Sequence, residues 1–134
     1  MPSGWATFFV KSQPLHDFTF SLINAARRER RRIVTSNYVL AELSALLISP
    51  LRVPAEVRLT MLDRIRTASW VDILHVDPSA DSASRDYLFA RRDKDFSLVD
   101  CSSFVIMEKP DLTASVTTDG HFEQAGFSEL VKAK

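Results

Sequence analysis

The sequence predicts an α/β sandwich with parallel strands at its centre, and three observations carry that expectation. Short β-branched runs alternate with segments of helical period, which implies strands joined through crossover helices. Only 3 glycines occur among 134 residues, too few for a loop-rich all-β protein or for glycine-rich phosphate loops. The 46% hydrophobic content is not interrupted by a repeat, a low-complexity tract or a Gly/Ser linker, so residues 1–134 read as a single domain with one core. The lone cysteine excludes a disulfide framework and a CxxC-type zinc site. No apolar run approaches the roughly 18 residues of a membrane span and no secretory h-region opens the chain, so no membrane association and a cytoplasmic location are expected. With 17 basic and 17 acidic residues the net charge is +0, and bulk charge does not announce a nucleic-acid binder.

The elements follow in order. His16 to Arg31 reads as a helix, with Phe20, Ile23 and Ala26–Arg27 at helical spacing and a basic end. Arg32-Ile33-Val34-Thr35 is a β-branched run and the first strand. Ser36 is placed to cap a helix from Asn37 to Ile48. Pro54 opens a further helix running to about Ala68, and Trp70 to Val76 alternates as a second strand. Pro78 to Arg92 reads as helix. Ser97 caps another from Leu98 to Glu108, which Pro110 follows as a stop. Leu112 to Thr118 gives a third strand, and Phe122–Val131 a short helix or coil broken at Gly126. Three strands are few for such a sheet.

Three carboxylates stand out by their surroundings. On the helix after the first strand, Glu42 lies at the edge of the apolar arc formed by Val39, Leu40, Leu43, Leu46 and Leu47. It is either a partly desolvated acid needing a partner or a boundary residue reaching solvent. Asp100 sits in a helix that is apolar almost all round, sharing a face with Phe104 and Met107. A buried aspartate needs a partner, yet Ser97-Leu98-Val99-Asp100 also reads as a capping box with Asp in place of Glu. Asp119 ends the third strand, on the edge where ligands bind in open α/β sheets, although Asp119-Gly120 is equally an ordinary turn. Gathered at one edge the three would repel one another. A hard divalent cation such as Mg²⁺ removes that repulsion and leaves positions open for phosphate, which points to metal-assisted phosphodiester hydrolysis.

The stretches TSNYVLAELSALL, DKDFSLVDCSSFVIME and VTTDGHFEQAGF resemble the three later motifs of PIN domains, in particular the VapC-like toxin ribonucleases. The resemblance covers most of the chain. It implies a PIN-like (RNase H-like) three-layer sandwich with a short, mostly parallel sheet flanked by helices. The implied activity is Mg²⁺- or Mn²⁺-dependent endoribonuclease action on RNA, held in check by a partner antitoxin. Carried over by position, Glu42, Asp100 and Asp119 are the acidic catalytic and metal-holding residues. Ser97, Asp95 and Thr118 are near neighbours, with the choice between Asp93 and Asp95 left open. The start departs from the family pattern, which opens on a strand ending in Asp-Thr/Ser-Ser. Here Ser3 to Val10 resembles the helix that follows such a strand, and Met1 stands where the first acid belongs. An N-terminally truncated start is therefore expected, and with it an inactive chain as one outcome. A strand at Thr7–Val10 is the alternative.

A non-catalytic PIN-like module binding RNA or protein is the alternative function. A receiver-like or aspartyl-phosphatase domain would need paired acids after the first strand, and none is present. Arg91 and Arg92 are candidates for RNA phosphate, ahead of the cluster Arg27 to Arg32, which equally reads as a solvated helix end. His121 reads as a turn residue and Cys101 as a small buried hydrophobe. Trp5, Phe8 and Phe9 are expected in the core or at a homodimer face. The helices from Phe18 to Ile23 and Leu51 to Ile65 are candidate surfaces for an antitoxin or second subunit.

Overall fold

The computed structural model describes residues 4–30, 32–107, 116–117 and 130–132. The chain begins with α1 (Gly4–Phe9) and α2 (His16–Arg28), followed by β1 (Arg32–Ser36), α3 (Asn37–Ile48), α4 (Ala55–Thr67), β2 (Val71–Leu74), α5 (Pro78–Ala90) and α6 (Leu98–Met107). β3 (Val116–Thr117) and β4 (Leu130–Lys132) complete the described elements. The sheet order is β2-β1-β4-β3. β1 and β2 are parallel, Ile33 opposite Val71 and Thr35 opposite Ile73. β4 pairs antiparallel with β1 on one side and with β3 on the other.

Alternation along β1 creates the layers. Ile33 points into a large core shared with Trp5, Ala6, Ile23, Ala26, Val39, Leu43, Leu47, Ile65 and Val71, drawn from α1 to α4. The next residue, Val34, points to the opposite face and packs with Val76, Ala80 of α5 and Ile106 of α6. Helices on both faces of one sheet make the sandwich three-layered, as expected.

Thr7–Val10 forms no strand: residues 7–9 lie in α1 and Val10 follows it. The reason is packing. Trp5 is fully buried, stacks near Phe9, meets Phe8 edge-on, and donates from Nε1 to Thr35 Oγ1 at 3.3 Å. A helical turn puts these aromatic rings on one side of the backbone, which a strand would divide between two faces. His16 Nδ1 donates to the Thr7 carbonyl at 2.9 Å and ties α2 to α1.

The cap expected at Ser36 forms, and the structure adds one at Asp77. Ser36 Oγ accepts from Val39 N at 3.2 Å, and α3 spans the residues its pattern predicted. Asp77 caps α5 by accepting from Ala80 N at 2.8 Å. α2 stops at Arg28 rather than Arg31, because Glu29 leaves helical geometry and Arg30 has φ 59. α5 stops at Ala90, two residues short of Arg92. Residues 130 and 131 belong to a strand rather than to a helix or coil, since the backbone edge of β1 offers Leu130–Lys132 a ladder of partners. Of the expected Leu112–Thr118 strand, residues 116–117 are described and extended, and the rest lies outside the described residues. No described helix is long and apolar enough to cross a membrane.

Candidate acidic site

β1 runs straight into α3, and several tertiary bonds fix the first turn of that helix. Asn37 Oδ1 accepts from Val76 N at 2.7 Å, joining α3 to the chain leaving β2. Tyr38 donates its hydroxyl proton to Asp81 of α5, whose other oxygen accepts from Arg85 Nε at 2.9 Å. These bonds hold the Asp81 carboxyl below its ordinary range, the Tyr38 bond first and Arg85 second. Glu42 follows Tyr38 by one turn on the same face. It is half-buried, and burial pushes its carboxyl pKa up, with the negative charge of Asp100 pushing the same way.

Asp100 stands in the first turn of α6, which contacts α3. The capping box expected from the sequence forms: Asp100 N donates to Ser97 Oγ at 3.1 Å, and Ser97 N donates to Asp100 Oδ2 at 3.0 Å. From Leu98 to Ile106 no residue of α6 is exposed, and Asp100 in its first turn is half-buried, with its capping bonds to Ser97 at the surface. Cys101 beside it is fully buried, and burial pushes its thiol pKa up, followed by Asp100, with Arg91 opposing.

The structure thus brings the helices of Glu42 and Asp100 together, with Glu42 within reach of the Asp100 charge. Among the described residues neither forms an ion pair with a cationic side chain. No set of three His, Cys, Asp or Glu among the described residues is arranged to hold a metal. Asp93 and Asp95 are exposed in the turn before α6 and do not complete such a set. Asp119 and its neighbour Thr118, together with His121, lie outside the described residues.

The candidate phosphate residues are both held on aromatic faces. The Arg91 guanidinium lies 4.0 Å from the centre of the Tyr87 ring, and that of Arg92 lies 5.0 Å from Phe89. The basic cluster is partly taken up by structure. Arg27 covers Trp70 at 4.7 Å, and Arg32 Nε donates across the sheet to Asp72 Oδ1 at 3.0 Å. Sequence reasoning missed the Tyr38–Asp81–Arg85 network and the Asn37 bond. Asp81 and Arg85 carry a local signal, the i,i+4 spacing of an ion pair. Tyr38 and Asn37 carry none, because their partners come from distant segments.

A three-layer α/β sandwich with half-buried acids on the helix leaving a parallel strand and on a neighbouring helix start defines the PIN class of nucleases. No protein-family profile matches the chain. The 23S rRNA-specific endonuclease VapC20 of Mycobacterium tuberculosis, in strains CDC 1551 and H37Rv, is 31% identical over 98 residues, covering 73% of this chain and 72% of the relative. The crystal structure of VapC20 from that organism, described as a sarcin–ricin loop cleaving toxin, matches with a TM-score of 0.70 at 26% identity, over 94% of this chain and 92% of that one. The chain belongs to the VapC-like PIN toxin ribonucleases.

Proposed function

We propose that this chain is a Mg²⁺- or Mn²⁺-dependent endoribonuclease of a toxin–antitoxin pair, with Glu42, Asp100 and Asp119 as its metal-holding acids. One observation carries the reading. Glu42 and Asp100 are half-buried on touching helices, the charge of Asp100 raises the cost of ionising Glu42, and no described cation pairs with either. Two such carboxylates fit a hard divalent cation, which takes oxygen ligands and keeps several waters. VapC nucleases as a family use divalent metals. When bound, the metal supplies Lewis-acid stabilisation of phosphoryl charge and a water of lowered pKa. The protein's own part is placement. Ser97 orders the turn bearing Asp100, and the bonds of Asn37 and Tyr38 fix the helix bearing Glu42. Arg91 lies over Tyr87, which touches Phe104 of α6, and Arg92 lies over Phe89; their guanidinium groups would meet phosphate.

The substrate we infer is a structured ribosomal RNA loop, by likeness to VapC20, and the partner is a VapB-type antitoxin, as in VapC toxins generally. A groove of about 590 Å³ between α3, α4 and β2, lined in part by Leu40, Leu59, Leu62 and Ile73, supplies an apolar surface for that partner or a second subunit. The test is Asp100→Asn. Cleavage of a sarcin–ricin loop oligonucleotide in Mg²⁺ is expected to be lost, together with the thermal stabilisation Mg²⁺ gives the parent chain. The amide oxygen still accepts from Ser97 N, so the fold should persist. The non-catalytic reading draws on the same capping bond, which by itself accounts for an acid at position 100. It requires RNA or partner binding with no Mg²⁺-dependent stabilisation.

A further inference from the structure

We propose that Phe89 and Arg92 form a stacking platform for one unpaired base of the RNA; the proposal rests on the nuclease reading above. Phe89, on the last turn of α5, is 72% exposed, more than any other large apolar residue described. A single exposed ring is ordinary, and what distinguishes this one is its company. Arg92 lies over it at 5.0 Å and donates from Nη1 to the Phe89 carbonyl at 3.1 Å, which holds the cation against the aromatic instead of extended in water. The preceding pair repeats the arrangement, with Arg91 over Tyr87 at 4.0 Å.

Tyr87 touches Phe104 at 5.7 Å between ring centres, and Phe104 meets Phe96 edge-on at 5.1 Å. Phe104 lies one turn beyond Asp100 on α6. These contacts join Arg91 and Tyr87 to the helix that carries the acid, whereas Phe89, two residues from Tyr87, lies on the other side of α5 and stays open to solvent.

Charge alone does not make this turn a strong RNA anchor. Arg91, Arg92 and Lys94 are offset by Asp93 and Asp95, three cations against two carboxylates. An exposed aromatic ring with a cation over one face selects a different feature: a base out of its stack, with its phosphate near the guanidinium. Bases inside a duplex hide their faces and gain nothing there. The ligand class is thus a single-stranded or loop nucleotide.

The experiment measures binding of a short fluorescent single-stranded RNA, and of the same strand in a duplex, in EDTA so that no bond is cut. Phe89→Ala is expected to weaken single-strand binding roughly 5- to 150-fold, the range for loss of one base–aromatic stack, while duplex affinity and Tm stay unchanged. Phe89→Trp should restore it, and 2-aminopurine in the strand should be quenched by the parent and Trp proteins but not by the Ala variant. Arg92→Gln should weaken both RNAs and flatten the salt dependence by about one phosphate contact. Parent-like single-strand affinity in Phe89→Ala, equal losses on both RNAs, or a loss confined to antitoxin binding would each overturn the platform. If Asp100→Asn still abolishes Mg²⁺-dependent cleavage, the nuclease reading survives that failure. A parent chain that binds neither RNA overturns the platform, and the nuclease reading then stands or falls on the Asp100→Asn cleavage assay.

Discussion

Glu42 holds its proton more tightly than a free glutamate because its half-buried position penalises charge and Asp100 adds repulsion. Unfolding relieves both effects. A carboxyl whose folded pKa is raised contributes stability while it stays protonated, and the contribution is lost as pH rises through that pKa. At neutral pH the ionised side chain therefore works against the fold. Glu42→Gln is expected to raise Tm at neutral pH in EDTA, with the increment shrinking as pH falls into the ordinary glutamate range. Adding Mg²⁺ should reverse the order, since only the parent gains by binding. Thermal melts across pH with and without Mg²⁺ check both statements, and a Gln variant that melts lower than the parent in EDTA at neutral pH contradicts them.

At the scale of an element, α6 performs two tasks with one residue, and substitution separates them. Ser97→Ala removes the acceptor for Asp100 N and is expected to cost about 1 kcal/mol by denaturant titration, the usual effect of losing an N-cap. Asp100→Asn keeps an oxygen for Ser97 N, so its stability loss should be the smaller while its effect on cleavage is the larger. This division also marks what the sequence made legible. α3 and the start of α6 were readable because cap, period and apolar face all agree locally, at Ser36 and Ser97. Glu42 and Asp100 were visible because a charge in an apolar helix conflicts with its surroundings. The early ends of α2 and α5 were hidden, since arginine is a good helix former and nothing in RRER or RRDK forbids another turn. β4 was hidden too, because three residues carry no period and only the open edge of β1 makes them a strand. Tyr38 escaped notice for the same reason: its partner Asp81 lies 43 residues away.

Across the whole molecule the sheet divides the interior unequally, and that asymmetry bears on the site. Among the described residues the core on the Ile33 face gathers ten buried residues from α1 to α4, β1 and β2, whereas the core on the Val34 face has four, which hold α5 and the end of α6. Fewer buried apolar contacts mean a lower free energy of local opening. The α5–α6 layer is therefore expected to open before β1 and α3, and native-state hydrogen exchange should show faster amide exchange in α6 than in α3. Leu43→Ala, in the larger core, should cost roughly 2–5 kcal/mol and lower protection throughout. The two acids belong to elements of unequal stability, since Glu42 rides on α3 and Asp100 on α6. A cation shared between them would bind the closed layer and not the open one. At a Mg²⁺ concentration 100 times Kd, mass action adds about 2.7 kcal/mol against that opening. Protection in α6 should rise by that amount, whereas the slowest amides of α3 should rise only if they exchange through global unfolding. Asp100→Asn should remove the rise. Equal, Mg²⁺-independent exchange in both helices would show that no ion joins the layers, and the acids would then be left with their capping and boundary roles alone.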